Sequence, residues 1–175
     1  MIKLIKHILL LLLITHQVNA GYNSKSAEER YVQYIKEILS YTSWSSQTML
    51  DKIKLCIVGD FNDYSVFRGI QGTMLFFSKK PLEILYIKTN INIVTKCNAV
   101  FIPEEQQILG KKIIKILKNK PVLTIGENGF AWHGGMISLY SRSKRLKFDI
   151  NYSAIINSNV LVDTKILELG NIIDQ

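Results

Sequence analysis

The sequence predicts an α/β protein: a three-layer α/β/α sandwich on a mostly parallel sheet, made mixed by an antiparallel hairpin near the C-terminus. Two observations carry this expectation. Short, nearly continuous apolar runs, the look of strands buried on both faces, alternate with segments whose apolar residues recur at helical spacing. Residues 136–151 instead alternate apolar and polar side chains on either side of a polar turn, the pattern of a hairpin with one buried and one wetted face. Right-handed crossovers then place the consecutive strands in one sheet with helices on both sides.

The chain opens on Lys3 and Lys6, an apolar run over 8–14 and a polar segment ending Val18-Asn19-Ala20, the layout of a signal peptide cut after Ala20. A membrane anchor is the rival reading, but the run falls well short of the roughly 20 apolar residues a bilayer-crossing helix needs. No later stretch offers a second span, so residues 21–175 are expected to form one soluble domain in the periplasm. The formal charge of +8 loses two lysines with the leader, 8 − 2 = +6, and the remaining cations are scattered. Export disfavours a nucleic-acid partner, whereas an acidic protein or anionic lipid headgroups suit a basic surface.

The first helix is expected from Ser26, which with Glu29 three residues on makes a capping box, and it carries Tyr31, Ile35, Ile38 and Leu39 at helical spacing. Residues 54–59 (KLCIVG) read as a buried parallel strand ending at Gly59-Asp60, and 61–64 as a loop. Next come a helix over 65–77, strands over 82–87 and 99–102, and a helix over 104–118, where Lys111, Lys112, Lys115 and Lys118 make a solvated face. A buried strand over 121–125 and a glycine-rich loop over 126–135 lead into two strands joined by a turn over 141–145. Two short helices, 152–158 and 164–173, meet at Asn159 and close the chain, the second with Ile166, Leu167, Leu169 and Ile172 on its apolar face.

The ordered set Leu123, Thr124, Gly129, Phe130, Ala131, Gly134, Gly135, Met136, Ile137, Leu139, Phe148, Ile150 and Asn151 resembles the YfiR family of small exported regulators, over nearly the whole chain after the leader. The chain departs from the family in having Ser45 where a proline usually follows the aromatic segment Tyr41–Trp44, and Asn159 where glycine is usual. The second change is mild, since asparagine tolerates a left-handed helix end next best. Two cysteines in an exported protein suggest one disulfide, and in a doubly wound order the strands near Cys56 and Cys97 are neighbours. The resemblance implies the same pair; two buried free thiols are the rival reading.

No catalytic constellation is legible. His133 is the sole histidine after the leader, too little for a zinc set once the cysteines are bridged, and no Gly-x-Ser-x-Gly elbow presents a serine nucleophile. Neither Gly-x-Gly-x-x-Gly nor Gly-x-x-x-x-Gly-Lys-Ser/Thr occurs, so no phosphate cradle and no cofactor are implied. Within the glycine-rich loop, Phe130 is expected to plug the core, with Gly134 and Gly135 turning the chain into the hairpin. Trp132 and His133, beside the basic turn of Arg142, Lys144 and Arg145, make a candidate contact surface. The resemblance implies a non-enzymatic protein that docks on the extracytoplasmic sensor domain of a membrane-embedded signalling receptor such as a diguanylate cyclase, restraining it; the single cysteine pair, by itself, makes the disulfide a candidate redox control. The alternative is a periplasmic small-molecule-binding accessory in which Trp132, Phe130 and nearby tyrosines stack on a ligand in a deep pocket. An exposed apolar patch would point to a homodimer.

Overall fold

A computed structural model describes residues 27–45, 50–60 and 64–173. The expected leader over 1–20, the Ser26 cap and most of the 61–64 loop lie outside the described residues. The first described element, α1 (Ala27–Ser40), carries Glu28 and Glu29 in its first turn, where carboxylates complement the positive end of the helix dipole. It buries Val32, Ile35, Ile38 and Leu39 along one stripe.

Seven strands form one sheet in the order β3-β2-β4-β5-β6-β7-β9. They are β2 (Ile53–Val58), β3 (Leu82–Ile87), β4 (Ala99–Ile102), β5 (Leu123–Glu127), β6 (Ile137–Arg142), β7 (Arg145–Asn151) and β9 (Asn171–Ile173). Neighbours from β3 across to β6 run parallel, β6 and β7 pair antiparallel, and β9 runs parallel to β7. A separate two-stranded sheet pairs β1 (Thr42–Trp44) antiparallel with β8 (Val160–Val162).

The strand period of two divides the apolar runs between two cores. Leu55, Ile57, Phe101, Leu123, Ile125, Ile137, Leu139, Phe148 and Ile150 face α1. Cys56, Val58, Val100, Ile102 and Phe130 face α2 (Gln107–Leu117), which contributes Ile113 and Leu117. This is the expected α/β/α sandwich, and it explains why β2 and β4 read as continuous apolar runs: both of their faces are dry.

The structure differs from the sequence reading in four places. Only Ser65–Ile70 of the 65–77 segment is helical, as a 3₁₀ turn. At Gly72 the backbone swings to φ +76° and the chain folds back on β3, with the Gly72 N–H donating to the Leu82 carbonyl at 2.8 Å and the Leu82 N–H to the Thr73 carbonyl at 2.9 Å. The second C-terminal helix, α4 (Thr164–Leu169), stops four residues early. A Cβ at Gly170 would lie 2.6 Å from side-chain atoms of both Phe148 and Ile150, so the backbone there presses on the sheet and the last residues add β9. The first, α3 (Tyr152–Ile156), is followed by Asn159 in the left-handed region (φ +61°) and then by β8. Finally, the hairpin turn is only Ser143-Lys144, both at positive φ as a two-residue turn demands, and the supposedly wetted face is partly roofed, with Asp149 buried.

Candidate functional site

The hairpin lies at one end of the sheet, inside only the three-residue edge strand β9. β9 pairs only with Asp149–Asn151 and Gly170 abuts Phe148, so among the described residues Arg145, Leu146 and Lys147, the first part of β7, have no strand on their outer side. Along this edge lies a groove of about 790 Å³. Cross-strand register puts Tyr140, Arg142, Arg145 and Lys147 on the α2 face of the sheet, while Leu146 and Phe148 belong to the α1 face. All of them line the groove, together with Arg30 and Tyr34 of α1. A groove lined from both faces of a sheet runs along the strand's rim. It carries five cationic side chains, Arg30, Arg142, Lys144, Arg145 and Lys147, and no carboxylate among its lining residues.

Trp132 and His133 sit on a 3₁₀ turn, Phe130–His133, held between Gly129 (φ +80°) and Gly134 (φ +93°). They diverge. The half-exposed Trp132 lays its indole over the hairpin and donates Nε1–H to Asp149 Oδ2 at 3.0 Å. Asp149 also accepts from Asn171 Nδ2 at 3.1 Å and is hydrogen-bonded to Tyr140, so one buried carboxylate ties the loop to β6, β7 and β9. Burial foremost, and then the Asp149 charge and hydrogen bond, push the Tyr140 phenol pKa up against the pull of Arg142. His133 points to the α2 side, where Nδ1 lies 2.9 Å from the Gly129 carbonyl; since a carbonyl only accepts, that nitrogen carries the proton. Arg142, Lys144 and Arg145 therefore share the groove, Trp132 joins it through Asp149 and Tyr140, and His133 is elsewhere.

Cys56 and Cys97 are disulfide-bonded with Cα atoms 6.0 Å apart, the bridge running from the middle of β2 to the residue two before β4. Both are buried, at 0% and 5% exposure.

The crevice beyond the carboxyl ends of β4 and β5, where α/β sheets commonly hold ligands, is acidic. It is lined by Glu104, Glu105 and Glu127 with Tyr31 and Tyr64, and such a set repels a phosphate. Burial raises the Glu127 pKa, the Glu105 and Glu104 charges add to it, and the Glu104 backbone N–H, donating to Oε2 at 2.9 Å, opposes. A carboxyl whose folded pKa lies above its unfolded one favours folding while protonated and loses that advantage as pH rises through the folded value. Glu127→Gln keeps an acceptor for the amide and removes the charge. Urea unfolding of this variant should therefore show a higher midpoint than the parent at pH 8, with the gain shrinking toward pH 4; an equal midpoint at both would contradict the assignment.

The sequence matches the YfiR/HmsC-like family model (DUF4154) over residues 29–171. The chain belongs to that family. It is a family of periplasmic, non-catalytic regulators in diguanylate cyclase systems, partnered with a membrane sensor. Comparison with curated proteins found no match. Among solved structures, a conserved domain protein from Vibrio cholerae O1 biovar El Tor str. N16961 is similar at TM-score 0.56 and 10% identity, over 85% of this chain and 60% of that one. The ABC domain in complex with L-Trp from Streptococcus pneumoniae is similar at TM-score 0.50 and 10% identity, over 83% and 62%. The chain thus spans less than two thirds of either structure, and the likeness is one of fold.

In this YfiR/HmsC-like chain the residues that carried the family resemblance are mostly scaffold. Thr124 Oγ1 accepts the Met136 N–H at 3.0 Å, locking the start of the hairpin to β5. Asn151 caps α3 by accepting from the Ala154 N–H at 3.0 Å and donates to the Ala131 carbonyl at 3.3 Å. Phe130 and Ala131 are buried. The groove is lined largely by other residues, and Arg30, Tyr34 and Lys147 escaped the sequence reading. Lys147 was legible as an outward position on an alternating strand, but the approach of α1 to the hairpin rim was not.

Proposed function

We propose that this chain is an exported regulator without catalytic activity that docks on the extracytoplasmic domain of a membrane signalling protein, such as a diguanylate cyclase, and restrains it. The observation that carries the reading is the cationic groove along the rim of β7, flanked by the half-exposed Trp132: positive charge around aromatic anchors is the make-up of a protein-binding surface. Restraint requires that the chain bind the inactive state of its partner more tightly than the active one. The leader over 1–20 supplies the export that this role needs, and 21–175 is the working domain. Because both sulfurs are covered, the disulfide acts first as a staple, and redox tuning would require the domain to open.

The test is capture of detergent-solubilised inner-membrane proteins on the immobilised chain. Recovery of a receptor with a cyclase or kinase module, reduced at least tenfold by Arg142→Glu/Arg145→Glu, supports the reading; equal capture by the charge-reversed variant overturns the groove as the docking surface.

One observation favours small-molecule binding, though not where Trp132 and Phe130 stand, since Phe130 is buried. A half-open cavity of about 350 Å³ lies between α2 and α3, lined by Thr124, Met136, Asn151 and Ser158 among others, within the size range of ligand pockets. A second copy of the chain has a candidate seat in the exposed cluster of Phe76, Phe77 and Leu161, where Tyr41 packs at 5.6 Å from both phenylalanine rings. Sedimentation showing a dimer that Phe76→Ser/Phe77→Ser converts to monomer supports that interface.

A further inference from the structure

We infer that the partner segment taken by the groove is an extended acidic peptide that adds as a short strand to the open rim of β7; this rests on the docking reading above. The two edges of the sheet are finished differently. At the β3 edge the backbone is already engaged: Gln71 Oε1 accepts the Ile84 N–H at 2.7 Å, and residues 72–73 bond to both sides of Leu82. A strand arriving at the start of β3 finds both groups of Leu82 and the Ile84 N–H taken. At the other edge β9 pairs only from Asp149 onward and Gly170 lies against Phe148, so that among the described residues Arg145, Leu146 and Lys147 have no strand beside them.

The register says which groups face outward. The two-residue turn makes Arg142 and Arg145 the closing hydrogen-bonded pair, and antiparallel pairs alternate from there. The backbone groups of Arg145 and Lys147 therefore point at β6, while both groups of Leu146 and the Phe148 N–H turn outward; the Phe148 carbonyl faces Asn171 of β9. A peptide ahead of β9 meets them at strand spacing, over about three residues or roughly 10 Å. Its alternate side chains fall among cations on one face of the sheet, Arg142, Arg145 and Lys147, and against Tyr34 and Leu146 on the other. The cations that deter a second copy of this basic edge from pairing with it select an acidic strand instead. An occupant alternating acidic and apolar residues satisfies both faces.

The probe is an octapeptide of alternating glutamate and valine, compared with the same peptide N-methylated on every amide, which keeps the charge but offers no N–H on either edge. Titration of the purified domain at low salt should give at least tenfold weaker binding of the methylated form. Hydrogen exchange at the Leu146 and Phe148 amides should slow at least tenfold on saturation with the unmethylated peptide, and Arg145→Glu/Lys147→Glu should weaken binding at least tenfold. Equal binding of the two peptides, no binding of either, or unprotected amides overturns strand addition. Receptor capture lost on Arg142→Glu/Arg145→Glu together with unprotected amides retains the docking surface and rejects only the strand.

Discussion

Replacing Cys56 and Cys97 together by alanine is expected to lower the unfolding free energy by about 2–4 kcal/mol. Closing a loop across a separation of 41 residues removes unfolded-state entropy worth about 4 kcal/mol in the chain-entropy model. The bridge also joins neighbouring strands inside the core that faces α2, so the loss is not relieved by solvent. Urea unfolding followed through the emission of buried Trp44, whose Nε1 donates to the Asn98 carbonyl at 2.9 Å, measures the change. Exchange needs a thiolate to reach a sulfur, and at 0% and 5% exposure neither sulfur is open to attack. Dithiothreitol should therefore reduce the native domain no faster than the domain opens. Rapid reduction with the fold retained and receptor capture changed would overturn the staple and establish the disulfide as a switch.

What the sequence made legible follows from which interactions are local. β3 and β4 fall on the expected residues because each is an apolar run bounded by turn-forming residues, and the sandwich follows from their alternation with helices. The end of α4 was not legible, because Gly170 ends the helix by pressing on Phe148 and Ile150 across the sheet, a contact between distant parts of the chain. The 65–77 segment misled for a related reason. Its apolar residues look like a buried helical face, yet Phe76 and Phe77 pack on Tyr41 at the surface and leave large parts of their rings exposed. At the candidate site, the three cations of the turn were visible as a cluster in sequence, whereas the groove they share needs β9 to be short and α1 to pass nearby. Charge is written in the sequence; the shape that concentrates it is tertiary.

Phe130→Ala should cost about 3–5 kcal/mol, the scale for removing a buried phenylalanine, and the glycines around it make that claim separable from a general loss of packing. The ring lies where two side chains would otherwise be. A Cβ on Gly126 would stand 2.3 Å from its Cγ and one on Gly135 2.1 Å from its Cε1, while Gly110 approaches to 3.4 Å. Gly135 has no positive φ, so Gly135→Ala is disfavoured by the ring alone and should destabilise by about 1–3 kcal/mol, as overpacking does. In a Phe130→Ala background the added methyl enters vacated space, and the two substitutions should couple by at least about 1 kcal/mol. Gly129 is the control. Its φ is +80° and no atom lies within 4 Å of the added Cβ, so Gly129→Ala should cost about 1–2 kcal/mol from backbone strain in either background. Additive behaviour at Gly135, or coupling at Gly129, would mean that the glycines serve the turn and not the ring. The distinction reaches function because Phe130 anchors the turn that holds Trp132 against Asp149: an unanchored turn should weaken receptor capture by the cationic rim even where Arg142, Lys144 and Arg145 are intact.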